Sequence, residues 1–356
     1  MVTIGVDAHK SLHAATVLDE RGQVLGHRQE ANSAEGWTAL LRWAVALGGD
    51  EGRQWGIEGA GYYGRGLAQM LLAAGEAVYD INPRWTAASR RRSRHPGKSD
   101  RFDALAVARY LREEVGSLPH LAAEDATTVL DVLVAERESL LTETTRLRNQ
   151  LHALLLQLDP RYRDQLPELS GPGALAALQA YQASIAGEVA QQRAASVRRL
   201  ALRLQLATEQ VDELTAQIEA RAEAGFSPLT ELPGVGKLTA GMLAGILGRL
   251  DPQVGEARLA MYAGVAPLEA SSAGQVRHRL NRSGNRSLNS LVHRIVVTQS
   301  RCHAPARAYL ARRQAEGKTR REAIRALKRF IVRAIWRLWQ RCLAARASGP
   351  AGVAAA

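Results

Sequence analysis

The sequence predicts a multidomain chain: an α/β N-terminal domain, a helical middle, and a mostly helical C-terminal portion. Three observations carry that reading. The first 115 residues alternate short apolar runs with amphipathic stretches, two heptad seams fill the middle, and positive charge gathers beyond residue 275. With 356 residues the chain has room for two or three domains. Hydrophobic residues at 46% suffice for packed cores, and aromatics at only 5% beside abundant Leu and Ala favour helix.

The apolar runs Val2–Val6, Leu12–Leu18 and Val24–Gln29 are separated by turn residues and predict three antiparallel strands. Ala34–Leu47 has helical spacing, with Trp37, Leu40, Leu41 and Val45 on one face. Gln54–Glu58 predicts a fourth strand, Gly64–Ala74 a helix and Ala77–Ile81 a fifth strand. Three antiparallel strands followed by alternating helix and strand is the order of a ribonuclease H-like fold.

From Leu130 to Leu158, the positions 130, 133, 137, 140, 144, 147, 151, 154 and 158 alternate steps of three and four, a seam of four heptads. A break rich in Pro and Gly runs from Asp159-Pro160 to Gly171-Pro172-Gly173, and a second seam runs from Val197 to Ile218. The simplest assembly is an antiparallel coiled-coil arm over 125–223, although two helices of an ordinary bundle fit the same spacing. Past Gly225-Phe226-Ser227-Pro228, the turn Leu232-Pro233-Gly234-Val235-Gly236 precedes a helix at Lys237–Leu247. A loop of Ser, Gly and Ala covers 268–274, and helices follow at Leu288–Thr298, Pro305–Glu316 and Arg320–Ala345. The expected domains are therefore 1–115, 125–223 and 227–347, with a frayed tail at 348–356.

Lys plus Arg number 47 against 35 acidic residues, a net charge of +12. From Gln275 onward there are 19 basic and 2 acidic residues, so the excess is concentrated there. An Arg-rich end on an otherwise slightly acidic chain points to a polyanionic partner held through bidentate phosphate contacts. The two cysteines, Cys302 and Cys342, lie too far apart for a metal-ligand motif and exclude a disulfide scaffold. No apolar run is long enough to span a membrane, so the expectation is a soluble cytoplasmic protein, associated with the nucleoid.

Asp7 follows the first apolar run and Glu58 ends the fourth. Asp100 and Asp103 are spaced i, i+3 at a predicted helix start, on one face. Each alone fits a cap or turn residue; together, on converging strand ends, they fit a site for hard divalent cations, with Mg²⁺ favoured by all-oxygen ligation. Two such ions would clamp a phosphodiester. The run Arg90-Arg91-Arg92-Ser93-Arg94, with Lys98, adjoins the acidic pair and fits phosphate attraction, as it also fits a solvated charge run. Gly234, Gly236 and Lys237 form a helix-hairpin-helix-like element whose backbone amides suit a phosphate; a plain interhelical turn fits too. Ser271 and Ser272 precede Arg277, Arg279, Arg282 and Arg286, further candidates for nucleic-acid contacts.

As a set, Gly5-Val6-Asp7-Ala8-His9-Lys10, Glu58, Lys98-Ser99-Asp100-Arg101-Phe102-Asp103-Ala104, Leu232–Gly236, Gly264-Val265-Ala266-Pro267, the Ser-Ser loop and Arg282-Ser283-Gly284-Asn285 resemble the DEDD transposases of the insertion-sequence 110 family, relatives of the Piv DNA invertases. The resemblance covers about residues 1–345. It implies a RuvC-like domain whose Mg²⁺-binding tetrad is Asp7, Glu58, Asp100 and Asp103, with two ions per composite site. It also implies a coiled-coil linker and a C-terminal transposase domain with a catalytic serine, Ser272 by position, with Ser271 the alternative. Further implications are a homotetramer, donor and target DNA as substrates, and a structured guide, the bridge RNA. The chemistry implied is recombination through a covalent phosphoserine; the alternative is a RuvC-like junction-resolving endonuclease that activates water.

Overall fold

The computed structural model describes residues 1–48, 52–86, 99–118, 120–169, 171, 173–184, 186–250, 254–269, 278–281 and 284–348. They form two compact units, one made chiefly of residues up to Asp125 and the other beginning at Ala126.

The first unit is built on strands β1 (Val2–Ala8), β2 (Leu12–Leu18), β3 (Val24–Ala31), β4 (Arg53–Glu58) and β5 (Ala77–Ile81), in the order β3-β2-β1-β4-β5. β2 is antiparallel to both neighbours, while β4 runs parallel to β1 and β5 to β4. This is the ribonuclease H-like arrangement expected from the strand order. Helices α1 (Ala34–Gly48) and α2 (Arg65–Ala73) supply the crossovers. Alternation along the strands sorts side chains between two faces. Ile4, Val6, Trp55, Ile57 and Val78 pack with Leu40, Leu67 and Leu71 of α1 and α2. On the opposite face, Tyr79 and Ile81 pack with Val107 and Leu111 of α3 (Asp100–Glu114).

The second unit is helical apart from a short hairpin of β6 (Leu268–Glu269) and β7 (His278–Arg279), among its described residues. Helices α4 (Ala126–Leu158) and α6 (Glu188–Phe226) run antiparallel; Arg137 Nε donates to Thr215 Oγ1 at 2.6 Å, and Arg203 meets Glu143 at 3.2 Å. Of the first seam, Leu130, Thr144, Leu147, Leu151 and Leu158 are buried and Leu133, Arg137, Leu140 and Leu154 half-buried. Val134 and Leu155 are buried where Leu133 and Leu154 were expected, and Leu147, Leu151 and Leu155 follow in steps of four. The Pro- and Gly-rich break also contributes core: Tyr162 and Leu169 pack between the helix ends together with Leu178 of α5 (Ala174–Gln179), just beyond it.

Helix α7 (Lys237–Leu247) packs onto this pair through Gly241, where a Cβ would press on Ile218, and Gly245, beside the backbone of Asp131. Helices α8 (Glu256–Tyr262), α9 (Arg286–Cys302), α10 (Ala304–Ala315) and α11 (Arg320–Ser348) complete the unit. Trp339 of α11 stacks on Phe226 with ring centroids 5.9 Å apart. No described helix is long and apolar enough to cross a membrane.

Candidate metal centre

Asp7 and Glu58 are register partners on the parallel strands β1 and β4, as are Gly5 and Gly56 two residues earlier. All four therefore share the face that carries α3. A Cβ on Gly5 would collide with the backbone nitrogen of Ala108 and the carbonyl of Ala104, so α3 lies directly on the strand at that point. Gly56 continues the bed, with Ile81 and Leu111 within 3.3 Å of the place a Cβ would take. One turn before Ala104 the helix begins, and its first turn carries Asp100 and Asp103. The two short Gly-x-acid patterns thus bring a helix start onto two strand ends.

Asp7 is 6% exposed and Asp103 7%, while Glu58 and Asp100 are half-buried. Burial chiefly raises the Asp7 pKa above its ordinary value, and the charges of Asp103 and Glu58 push the same way against a lowering effect of His9. Crowded carboxylates that burial disfavours in their charged form are the environment that a divalent cation relieves. The donor set fits: His9 Nε2 lies 3.0 Å from Asp7 Oδ2 and 3.6 Å from Asp100 Oδ1, and ligand atoms of these three side chains lie within 4.8 Å of one another. Thr86 Oγ1 donates to Glu58 Oε2 at 2.9 Å, which orients that carboxylate.

Asn32 ties the two loops that follow Asp7 and Glu58. Its Nδ2 donates to the carbonyls of His9 at 3.4 Å, Lys10 at 3.2 Å and Tyr63 at 3.2 Å, while its Oδ1 accepts from Trp37 Nε1 at 3.0 Å. His9, Asn32 and Thr86 were not singled out in the sequence. His9 was legible only as the residue two places beyond Asp7. Nothing local marks Asn32 or Thr86, whose roles come from long-range contacts.

The other candidates fall elsewhere. Arg90, Arg91, Arg92, Arg94, Lys98, Ser271, Ser272, Arg277 and Arg282 lie outside the described residues. Gly234 takes a left-handed φ of 85° in a turn backed by α9, where Gln299 Nε2 donates to Pro233 O at 2.7 Å. Gly236 precedes the first turn of α7 in extended conformation, and Lys237 Nζ is paired with Glu223 at 2.8 Å. Arg279 lies on β7 and Arg286 opens α9, whose N-cap Asn285 accepts from the Leu288 amide.

Two family descriptions match the chain: a DEDD transposase of the IS110 type over residues 4–160, and a transposase of the IS116/IS110/IS902 family over residues 227–311. The 43.6 kDa protein of insertion element IS110 from Streptomyces coelicolor is 30% identical over 304 residues, covering 73% of this chain and 75% of that protein. The 42 kDa protein of IS900 from Mycobacterium paratuberculosis is 26% identical, and the 44.8 kDa protein of IS116 from Streptomyces clavuligerus 24%; each alignment covers 94% of both chains. Among solved structures, Thermus thermophilus RuvC aligns with all of its own chain and 34% of this one, at 16% identity and a TM-score of 0.27. The family descriptions and the IS110 relative settle the membership: the chain belongs to the IS110 family of transposases.

Proposed function

We propose that this transposase cleaves DNA phosphodiesters at a divalent-metal centre held by Asp7, Glu58, Asp100 and Asp103, with water as the attacking group. The observation that supports it is the placing of buried Asp7 in register with Glu58 and beneath the helix start bearing Asp100 and Asp103. Divalent ions bound there, Mg²⁺ by the preponderance of oxygen donors, would polarise the scissile phosphate and lower the pKa of the attacking oxygen. Asp7 and Asp103 supply buried ligand oxygens, Thr86 orients Glu58, and His9 bridges Asp7 and Asp100. Residues 1–115 form the catalytic domain in this reading, 125–223 a linking arm and 227–347 a DNA-holding domain. Its place of action is the nucleoid of the bacterial cytosol.

A second reading puts the attacking group on a serine of the segment 227–311, which spans both Ser271 and Ser272. Here Mg²⁺ held by the four carboxylates would polarise the phosphate while the Ser272 hydroxyl, or that of Ser271, attacks the phosphorus. A serine–phosphate bond forms, one deoxyribose oxygen leaves, and the serine proton ends on the released hydroxyl. Reverse attack by a DNA hydroxyl then restores the phosphodiester without ATP. Donor and target DNA, a guiding bridge RNA and a homotetramer with composite sites belong to this reading.

Both are tested by incubating the protein with Mg²⁺ and end-labelled linear and branched DNA, followed by denaturing gels. Free nicked DNA that is lost in Asp7→Asn and Glu58→Gln but kept in Ser272→Ala and Ser271→Ala supports the water-activating site. A protein-linked band lost in a serine variant establishes the second reading. Cleavage that persists in Asp7→Asn sinks both.

A further inference from the structure

Two of the sequence motifs, Gly264-Val265-Ala266-Pro267 and Arg282-Ser283-Gly284-Asn285, have no role in a carboxylate centre. The structure joins the described part of the second to the first. Gly264 adopts a left-handed φ of 65°, and a Cβ on Gly284 would strike the Gly264 main chain and come within 3.0 Å of Tyr262 O. The two turns therefore pack backbone against backbone, which only glycine permits. Asn285 N donates to Tyr262 O at 2.6 Å, Asn281 Nδ2 to Met261 O at 2.9 Å and Asn289 Nδ2 to Ala263 O at 2.7 Å.

These bonds fix one wall of a cavity of about 650 Å³ whose other wall is the start of α11. Arg279, Lys318, Arg325, Lys328 and Arg329 line it, and Glu322 is the one acidic residue among its described lining. Glu322 is already engaged: it accepts from Thr319 N at 2.9 Å and Thr319 Oγ1 at 2.8 Å, capping α11. Lys328 is held in place, because its Nζ donates at 2.8 Å to Oδ1 of Asn289, the same amide that is tied to Ala263. Partial burial pulls the Lys328 pKa below the ordinary lysine value.

Five cations thus gather around one engaged carboxylate, four of them exposed to solvent and Lys328 half-buried between them and α9. A single phosphate would offset one or two of those charges. Several anionic groups spaced along a polymer match the arrangement better. We propose that this cavity seats consecutive backbone phosphates of a nucleic-acid strand, with Lys328 as the fixed central cation. The inference rests on the reading that the chain acts on nucleic acid, and adds a metal-independent grip in the helical unit.

The test is fluorescence anisotropy with fluorescein-labelled single-stranded DNA and RNA of one short sequence, in EDTA across a salt series. Lys328→Gln and Arg325→Gln should each weaken binding about 5–10-fold at low salt and flatten the log–log salt dependence by roughly 0.7. Arg301→Gln, an equal charge change at an exposed position of α9, should alter binding less than about twofold. Arg325 is exposed, so its variant keeps the test valid if Lys328→Gln loses its circular-dichroism signature. Equal losses on both probes assign the cavity to the shared backbone, and a loss on one probe assigns it to that strand. Wild-type binding by both cavity variants, or an equal loss in Arg301→Gln, overturns the proposal. Asp7→Asn should bind as wild type in EDTA; if it also cleaves DNA as wild type in Mg²⁺, the carboxylate reading fails while the cavity stands.

Discussion

Gly5 and Asp7 share one face of β1, and the lack of a side chain at the first lets α3 deliver Asp103 beside the second. A methyl group at Gly5 has only backbone to displace, so Gly5→Ala should push the helix off the strand. The expected cost is about 1–3 kcal/mol of stability, the range for overpacking a closed core. Mn²⁺ affinity should fall with it, because the carboxylates of Asp100 and Asp103 move away from Asp7. Thermal unfolding with a parallel Mn²⁺ titration checks this; unchanged affinity in a destabilised protein would separate the glycine from the site.

Asp7 carries its charge against its surroundings, and that has a sign. Its folded pKa is raised, by burial first, so its contribution to stability is fully present below the unfolded pKa and is lost as pH rises through the folded value. Above the folded pKa the ionised group therefore opposes folding of the metal-free protein. Asp7→Asn should raise the melting temperature in EDTA by about 2–4 °C, the scale that roughly 1 kcal/mol produces. The gain should shrink as pH falls through the folded pKa. In the wild type, saturating Mg²⁺ or Mn²⁺ should raise the melting temperature, by about 2.7 kcal/mol equivalent at 100 times Kd, and the variant should lose most of that response. A melting temperature that drops in EDTA would show that Asp7 holds the fold rather than straining it.

Thr86 positions Glu58 through one hydroxyl, so Thr86→Val keeps the shape and removes the donor. The loss expected is about 10-fold in metal affinity, at the lower end of what removal of an orienting hydrogen bond costs a metal site. Thr86→Ser should restore it. Calorimetric titration with Mn²⁺ separates the two, and an unaffected Thr86→Val would assign the hydroxyl to its 3.2 Å contact with Pro83 O instead.

What could be read in the sequence follows from which interactions are local. The five strands and the Asp100–Asp103 helix start are written in period and punctuation, and so is the pairing of Gly5-x-Asp7 with Gly56-x-Glu58 once the strands are parallel and in register. Asn32 was invisible because its carbonyl partners at His9, Lys10 and Tyr63 are 22 to 31 residues away. Residues 159–173 read as a break because Pro and Gly interrupt the helical period, yet Tyr162 and Leu169, with Leu178 just beyond, pack with Leu155 and Val197. Composition registered the turns there and missed the apolar residues that the turns present. The short helix α8 carries too few apolar repeats in Glu256–Tyr262 to declare a face.

Asn32 gives the sharpest test of whether the site is built or merely crowded. One amide holds the loops after Asp7 and Glu58 and is itself locked by the Trp37 indole, so its removal frees both loops at once. Asn32→Ala leaves the Trp37 N–H and loop carbonyls without that partner, at a cost of about 1–3 kcal/mol wherever water cannot replace it. Asn32→Asp keeps the acceptor for Trp37 but loses the donors to the loops, and adds a charge near His9. If Asn32 acts only on stability, Asn32→Asp should retain near-wild-type Mn²⁺ affinity and cleavage once folded. If it sets the spacing of the two loops, both variants should lose about 10-fold or more in Mn²⁺ affinity at temperatures well below their melting points. The second outcome is the expected one, because the three donated bonds converge from separate loops while the accepted bond concerns α1 alone.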